Sequence, residues 1–143
     1  MTVDETALNE ILLALENCCE KIRNALPTVG GTFSSIAPNF QRNEFACKCG
    51  CGFDDINLDL VADLQKIRTG LGNQMIITSG CRCPAHNARV GGVWNSHHLE
   101  GNAADCYVVG HTAQEILDYA AAHCPNITEK YAIDANAVHL AYE

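Results

Sequence analysis

The sequence predicts a small α+β fold, in which a mainly antiparallel sheet is packed with helices. Apolar residues at helical spacing dominate the first half of the chain, and short β-branched or aromatic runs dominate the second. No Walker phosphate loop, dinucleotide fingerprint or internal repeat interrupts that order, which sets helices first and a small sheet after them.

Between residues 4 and 26, Leu8, Ile11, Leu12, Leu15, Cys18, Cys19, Ile22 and Leu26 recur at intervals that align side chains on one helical face. Pro27 and the Gly30-Gly31 pair punctuate the pattern. This long helix is expected to pack on the body by ordinary intramolecular contact, giving an N-terminal helical extension over residues 1–35 and a single domain over 36–143. Residues 28–55 are rich in turn formers and contain Cys47, Cys49 and Cys51, which predicts an irregular, locally clamped surface lobe. Helical spacing returns from Ile56 to Gly70 through Leu60, Leu64 and Ile67. The run Gln74–Thr78 reads as a strand that Ser79-Gly80 terminates.

Pro84 fits the first turn of a short helix reaching about Val90, because its missing N–H is tolerated there. Gly91-Gly92 stops that helix and opens the loop VWNSHHLEGN. AADCYVV then has strand character, and residues 111–122 revert to a helical period through Ala113, Ile116, Leu117 and Ala120. YAI and AVHLAY are the last strands, with residues 134–136 as the turn between them.

With 143 residues, 48% hydrophobic and 18% charged, the chain can bury one sizeable core and lacks the composition of a disordered protein. Nine Lys and Arg against seventeen Asp and Glu give a net charge of -8. The basic residues, among them Lys21, Arg23, Lys48, Arg68, Arg82 and Arg89, are scattered, so no electropositive stripe offers itself to nucleic acid. Asp4, Glu5, Glu10 and Glu16 break the apolar positions of the amino terminus, which excludes a secretory leader in this stretch, and no run elsewhere approaches a membrane span. A soluble protein of undetermined oligomeric state is the expectation, and a chain already trimmed of a leader would look the same.

The nine cysteines include CxCxC at 47–51 and CxC at 81–83. Disulfides, packed thiols and a second metal site are all open to them, since zinc clusters more often use wider spacing. Cys81 and Cys83 flank Arg82, and holding that loop is a simpler role for them than thiol catalysis, which needs a lowered pKa and a base.

The string Ser96-His97-His98-Leu99-Glu100-Gly101-Asn102-Ala103-Ala104-Asp105 brings imidazoles and a carboxylate close in sequence. If the chain turns at Gly101, His98 in the loop and Asp105 on the following strand reach one point, and His139 joins them from a neighbouring strand. Two imidazoles and a carboxylate are the proportions of a catalytic zinc site that keeps a fourth position for water. On chemistry alone His86 and His97 compete with His98, and each of these side chains also has an ordinary structural use.

The segments SGCRCPAHNARVGG (Ser79–Gly92), SHHLEGNAAD (Ser96–Asp105) and VHL around His139 resemble the M15 family of zinc D-Ala-D-Ala carboxypeptidases and related peptidoglycan L,D-endopeptidases. The resemblance spans roughly Phe45 to Tyr142. It implies a Hedgehog/DD-peptidase-like fold, Zn2+ held by His98, Asp105 and His139, and a peptidoglycan stem peptide as substrate. It further implies that Arg82 binds a substrate carboxylate or the developing oxyanion, with Asn87 and Ser96 as substrate-positioning groups. The setting would be a bacterial or phage enzyme acting at the cell wall or periplasm, released by lysis in the absence of a leader.

One departure bears on mechanism. Family members commonly carry a general base two or three residues before the third zinc ligand, where this chain has Ala137 and Asn136, and an acidic residue two positions after it, where this chain has Ala141. Asp134, Glu100 and Glu143 are the replacements within reach, and Asp134 is selected because the turn between the last strands can carry it to the site. Two further readings follow: a catalytically impaired, zinc-containing wall-binding module, and a cysteine-rich interaction domain whose histidines are incidental.

Overall fold

A computed structural model describes residues 35–143. The helical extension expected for residues 1–35 lies, except for its last residue, outside the described residues.

Two sheets form. Strands β1 (Ser35–Ala37) and β2 (Phe40–Gln41) make a small antiparallel hairpin, followed by a 3-10 turn at Arg42–Phe45. The main sheet contains β3 (Met75–Ser79), β4 (Ala103–Val108), β5 (Glu129–Ala132) and β6 (Ala137–Ala141), in the spatial order β3-β4-β6-β5 and antiparallel throughout. Helices α1 (Leu58–Leu71) and α3 (Ala113–His123) pack on this sheet and on each other, while the short α2 (Pro84–Arg89) lies between β3 and β4 in sequence. The expected α+β organisation is thus present.

The helix boundaries have local causes. Asn57 caps α1 by accepting from the Asp59 N–H at 2.8 Å, and Gly72 ends it with φ 75°. Thr112 and Glu115 form a reciprocal capping box that starts α3 at Ala113, two residues later than the periodicity suggested. Leu60, Leu64 and Ile67 of α1 and Ile116 and Ala120 of α3 meet Ala104, Cys106, Val108, Val138 and Leu140 of the sheet in a common core. Full burial of each larger aliphatic side chain contributes about 1.5–3 kcal/mol.

The lobe expected to be irregular is better integrated than its composition implies. Phe40 and Phe45 are fully buried, their ring centroids 5.7 Å apart, and the Phe45 carbonyl accepts from the Cys81 N–H at 2.8 Å. The turn residues set its path and two aromatic side chains anchor it to the core.

Candidate metal centre

Side chains alternate between the faces of a strand, so burying Ala104, Cys106 and Val108 of β4 against the helices turns Asp105 to the other face. The same rule on β6 buries Val138 and Leu140 and turns His139 outward. Asp105 pairs directly with His139, and His139 with Tyr131 of β5. On the other side of β4, Asp105 pairs with Ser79. That last pairing depends on a register shift between Ile77 and Ser79, a bulge that adds one residue and moves Ser79 to the Asp105 face. Ser79, Asp105, His139 and Tyr131 therefore form a row across all four strands.

His98 reaches this row from outside the sheet, on a 3-10 turn spanning His97–Glu100. Ser96 caps the turn, its Oγ accepting from the His98 N–H at 3.1 Å. Gly101 ends it at φ 73°, and a Cβ there would stand 2.2 Å from the Asp55 carbonyl oxygen. Only glycine combines that conformation with that approach.

The hydrogen bonds fix which nitrogen of each histidine carries a proton. His98 Nδ1 lies 2.6 Å from the Gly80 carbonyl oxygen, which can only accept, so Nδ1 donates and the Nε2 lone pair faces Asp105 Oδ1 at 3.2 Å. His139 Nε2 donates to Glu129 Oε1 at 3.2 Å, leaving Nδ1 turned to the same Asp105 oxygen at 2.8 Å. Two imidazole lone pairs and a carboxylate oxygen thus converge, all within 4.8 Å of one another, at buried residues. In the metal-free chain a proton must separate them. Burial opposes ionisation of Asp105, but the proton shared with His139 and the neighbouring imidazoles outweigh that and hold it well below the usual carboxylate range. Burial likewise opposes protonation of His139, and the Asp105 and Glu129 carboxylates overcome it and raise its pKa. A divalent cation satisfies all three donors at once, and this N2O set with imidazole predominating suits zinc.

Arg82 clamps the other side of Asp105. Its Nη2 donates to Asp105 Oδ2 at 3.2 Å, Nη1 to Asn87 Oδ1 at 3.0 Å and Nε to Ser79 Oγ at 3.0 Å. Asn87, itself buried, donates from Nδ2 to the Val93 carbonyl at 2.9 Å and ties the loop after α2 to the guanidinium. A cleft of about 510 Å³ opens over these groups; Arg82, Ser96, His98, Asp105 and His139 form its polar floor, and Val93, Tyr131 and Ile133 are among its walls. Tyr131 stacks on the His139 ring with centroids 4.7 Å apart.

The expected site residues fall into two groups. His98, Asp105, His139, Arg82, Asn87 and Ser96 come together. Asp134 lies in the β5–β6 turn, where Oδ1 accepts from the Asn136 and Ala137 N–H groups at 2.8 Å each, and it does not line the cleft. Glu100 lies by His97 and Asn102, and Glu143 follows the last strand. Trp94 is 87% exposed beside the cleft residue Val93, whereas Tyr107 borders a different pocket. His97 sits 3.6 Å from Glu129 and outside the converging set.

Sequence reasoning did not reach Ser79, the Gly80 carbonyl, Glu129 or Tyr131. Once the β5–β6 hairpin is drawn, period-two alternation from His139 marks Tyr131 and Glu129 as same-face residues. Nothing in the sequence announces the bulge that turns Ser79.

A protein-family model described as peptidase M15 matches residues 38–141. Comparison with curated proteins finds no match.

Proposed function

Because the chain belongs to the peptidase M15 family, we propose that it is a zinc-dependent hydrolase of a peptide bond in peptidoglycan stem peptides, acting as a D,D-carboxypeptidase or L,D-endopeptidase at a bacterial cell wall. The observation that carries this reading is the convergence of two oriented imidazoles and one carboxylate on a single point at the floor of an open cleft. His98, Asp105 and His139 would hold the ion. Zinc bound there supplies Lewis acidity, which lowers the pKa of a water and polarises a scissile carbonyl.

The remaining work falls to the protein's own side chains. Arg82 spends three of its N–H groups on Ser79, Asn87 and Asp105, and a guanidinium has five. The two that remain are assigned to a peptide carboxylate or to the oxygen that gains charge as the carbonyl is attacked. Ser96 and Asn87 keep the loops on either side of the cleft in place for the peptide. Tyr131, Val93 and Ile133 offer apolar walls that remove water from the bound segment.

Asp134 is the proposed proton acceptor. It follows the cleft residue Ile133, and its turn engages Oδ1 and leaves Oδ2 unused. The two backbone donors lower its pKa, which keeps it ionised and makes it a weaker base than a free carboxylate, so its proposed part in taking a proton from water and returning it to the leaving amine falls to the unengaged Oδ2.

A second reading is a zinc-containing wall-binding module with impaired catalysis. It is favoured by one observation: Asp105 is the sole carboxylate lining the cleft among the described residues. Incubating zinc-restored protein with defined muropeptides and identifying products by mass spectrometry separates the two. Loss of terminal D-Ala identifies a carboxypeptidase, and cleavage within the stem an endopeptidase. Stoichiometric zinc with intact muropeptides would establish the module instead.

A further inference from the structure

Cys47, Cys49, Cys51 and Cys83 bring four sulfur atoms within 4.8 Å of one another, away from the His98–Asp105–His139 floor. In an extended strand CxCxC would align three side chains at intervals of about 6.7 Å, leaving the outer two far too distant to share an ion. Here the chain curls. Gly50 at φ 83° and Gly52 at φ 95° reverse it, and the Gly50 N–H closes the turn on the Cys47 carbonyl at 3.1 Å.

The fourth sulfur comes from across the fold. Of the CxC pair, Cys81 points into the core and Cys83 points to the cluster, as the first residue before α2. Cys47 and Cys49 sulfurs stand 3.4 Å apart, and those of Cys49 and Cys83 3.6 Å. A tetrahedral ion with bonds of about 2.3 Å places its sulfurs about 3.8 Å apart, whereas a disulfide requires about 2.05 Å. Cys49 touches two other sulfurs at nearly the same distance, which suits a shared centre better than exclusive pairing. Two backbone N–H groups also point at the sulfurs: Cys83 to Cys47 and His86 to Cys83, each at 3.4 Å. Such donors favour thiolate over thiol, the form in which cysteine binds a metal.

We propose that Cys47, Cys49, Cys51 and Cys83 form a second, structural site for a thiophilic divalent cation, with zinc as the fitting ion, which staples the loop over residues 47–51 to the segment bearing Arg82. Four protein ligands close the coordination shell, so the site has no catalytic position. Its role is mechanical: Cys83 adjoins Arg82, and the ion ties that segment to a loop more than thirty residues away.

The test uses the full chain and does not depend on hydrolysis. Zinc is measured by elemental analysis in the wild-type protein, in His98→Ala with Asp105→Asn, and in Cys49→Ser with Cys51→Ser. The histidine-site variant is expected to retain an equivalent of zinc that the cysteine variant loses. Cobalt-substituted wild-type protein should display thiolate-to-cobalt charge-transfer absorption, kept by the histidine-site variant and lost by the cysteine variant. Should the cysteine variant fail to fold, the wild-type cobalt spectrum and thiol titration decide alone. Disulfides among these four residues by non-reducing peptide mapping, or cobalt uptake without charge-transfer bands, overturn the proposal. Failure of the peptidase reading leaves this result unaffected, because the cysteine site is scored by its own metal.

Discussion

Glu129 acts on the centre through His139. Its Oε1 accepts the Nε2 proton, which fixes the ring's tautomer and makes Nδ1 the better donor. Glu129→Gln is expected to weaken zinc binding about 10- to 100-fold, the usual range for loss of such a partner; competition with a chromophoric chelator reads this directly. Arg82→Lys should leave zinc content intact, since no metal ligand is lost. It should lower kcat/KM on muropeptides by about 10²- to 10³-fold, as removal of an oriented oxyanion donor does, because an ammonium cannot reproduce the three-way fork to Ser79, Asn87 and Asp105.

The same residues give the metal-free chain a definite pH response. His139 has a folded-state pKa above its ordinary value, so its contribution to stability is complete below about pH 6.5 and is lost as pH rises through the raised pKa. Asp105 is depressed, so its contribution is present above about pH 3.9 and is lost as pH falls through the folded value. Thermal denaturation of chelator-treated protein should therefore show Tm declining from mildly acidic pH toward alkaline pH. Zinc affinity should move oppositely, rising with pH as His139 gives up its proton.

At the level of elements, the 3-10 turn at His97–Glu100 is the most demanding piece of local structure, because it must hand His98 to the sheet within a few residues. Gly101→Ala combines a left-handed φ with a Cβ too close to the Asp55 carbonyl. It should cost roughly 1–3 kcal/mol in chemical denaturation, and zinc affinity should fall with it as the His98 turn shifts. Gly101 was identifiable as the turning point from sequence because the loop histidine His98 and the strand aspartate Asp105, seven residues beyond it, could not otherwise meet. The capping box that delays α3 to Ala113 was less visible: the apolar period through Ala113, Ile116, Leu117 and Ala120 does not mark the first residue of the helix, and the bond between Thr112 and Glu115 sets the boundary.

For the whole molecule, the centre joins a loop, β4 and β6, so occupancy and folding are linked. At free zinc one hundred times its Kd, the ion should stabilise the native state by about 2.7 kcal/mol, and chelation should lower Tm in differential scanning calorimetry. The three candidate ligands were legible because His98 and Asp105 share one dense polar string and His139 lies in an isolated VHL, and because the family resemblance of these segments singled them out from His86 and His97. From Leu58 onward the individual helices and strands were legible from periodicity, whereas the β1–β2 hairpin lay in a stretch expected to be irregular, and helices alternate with strands where helices first and a sheet after them were expected. Glu129 and Tyr131 were hidden, since they acquire meaning only through the β5–β6 pairing, and the burial of Phe40 and Phe45 was masked by the turn-rich sequence around them.

The bulge in β3 separates chain length from chemistry. Deleting Thr78 would let the β3–β4 ladder continue without interruption, and the backbone would lose little. Ser79 would still face Asp105, as the next residue after core-facing Ile77. The chain beyond it would be drawn back by about 3.3 Å, however, carrying the Gly80 carbonyl away from His98 and the guanidinium away from the carboxylate it clamps. A homologue shorter by that single residue would inherit the architecture while losing the reach that aims its cation at the peptide.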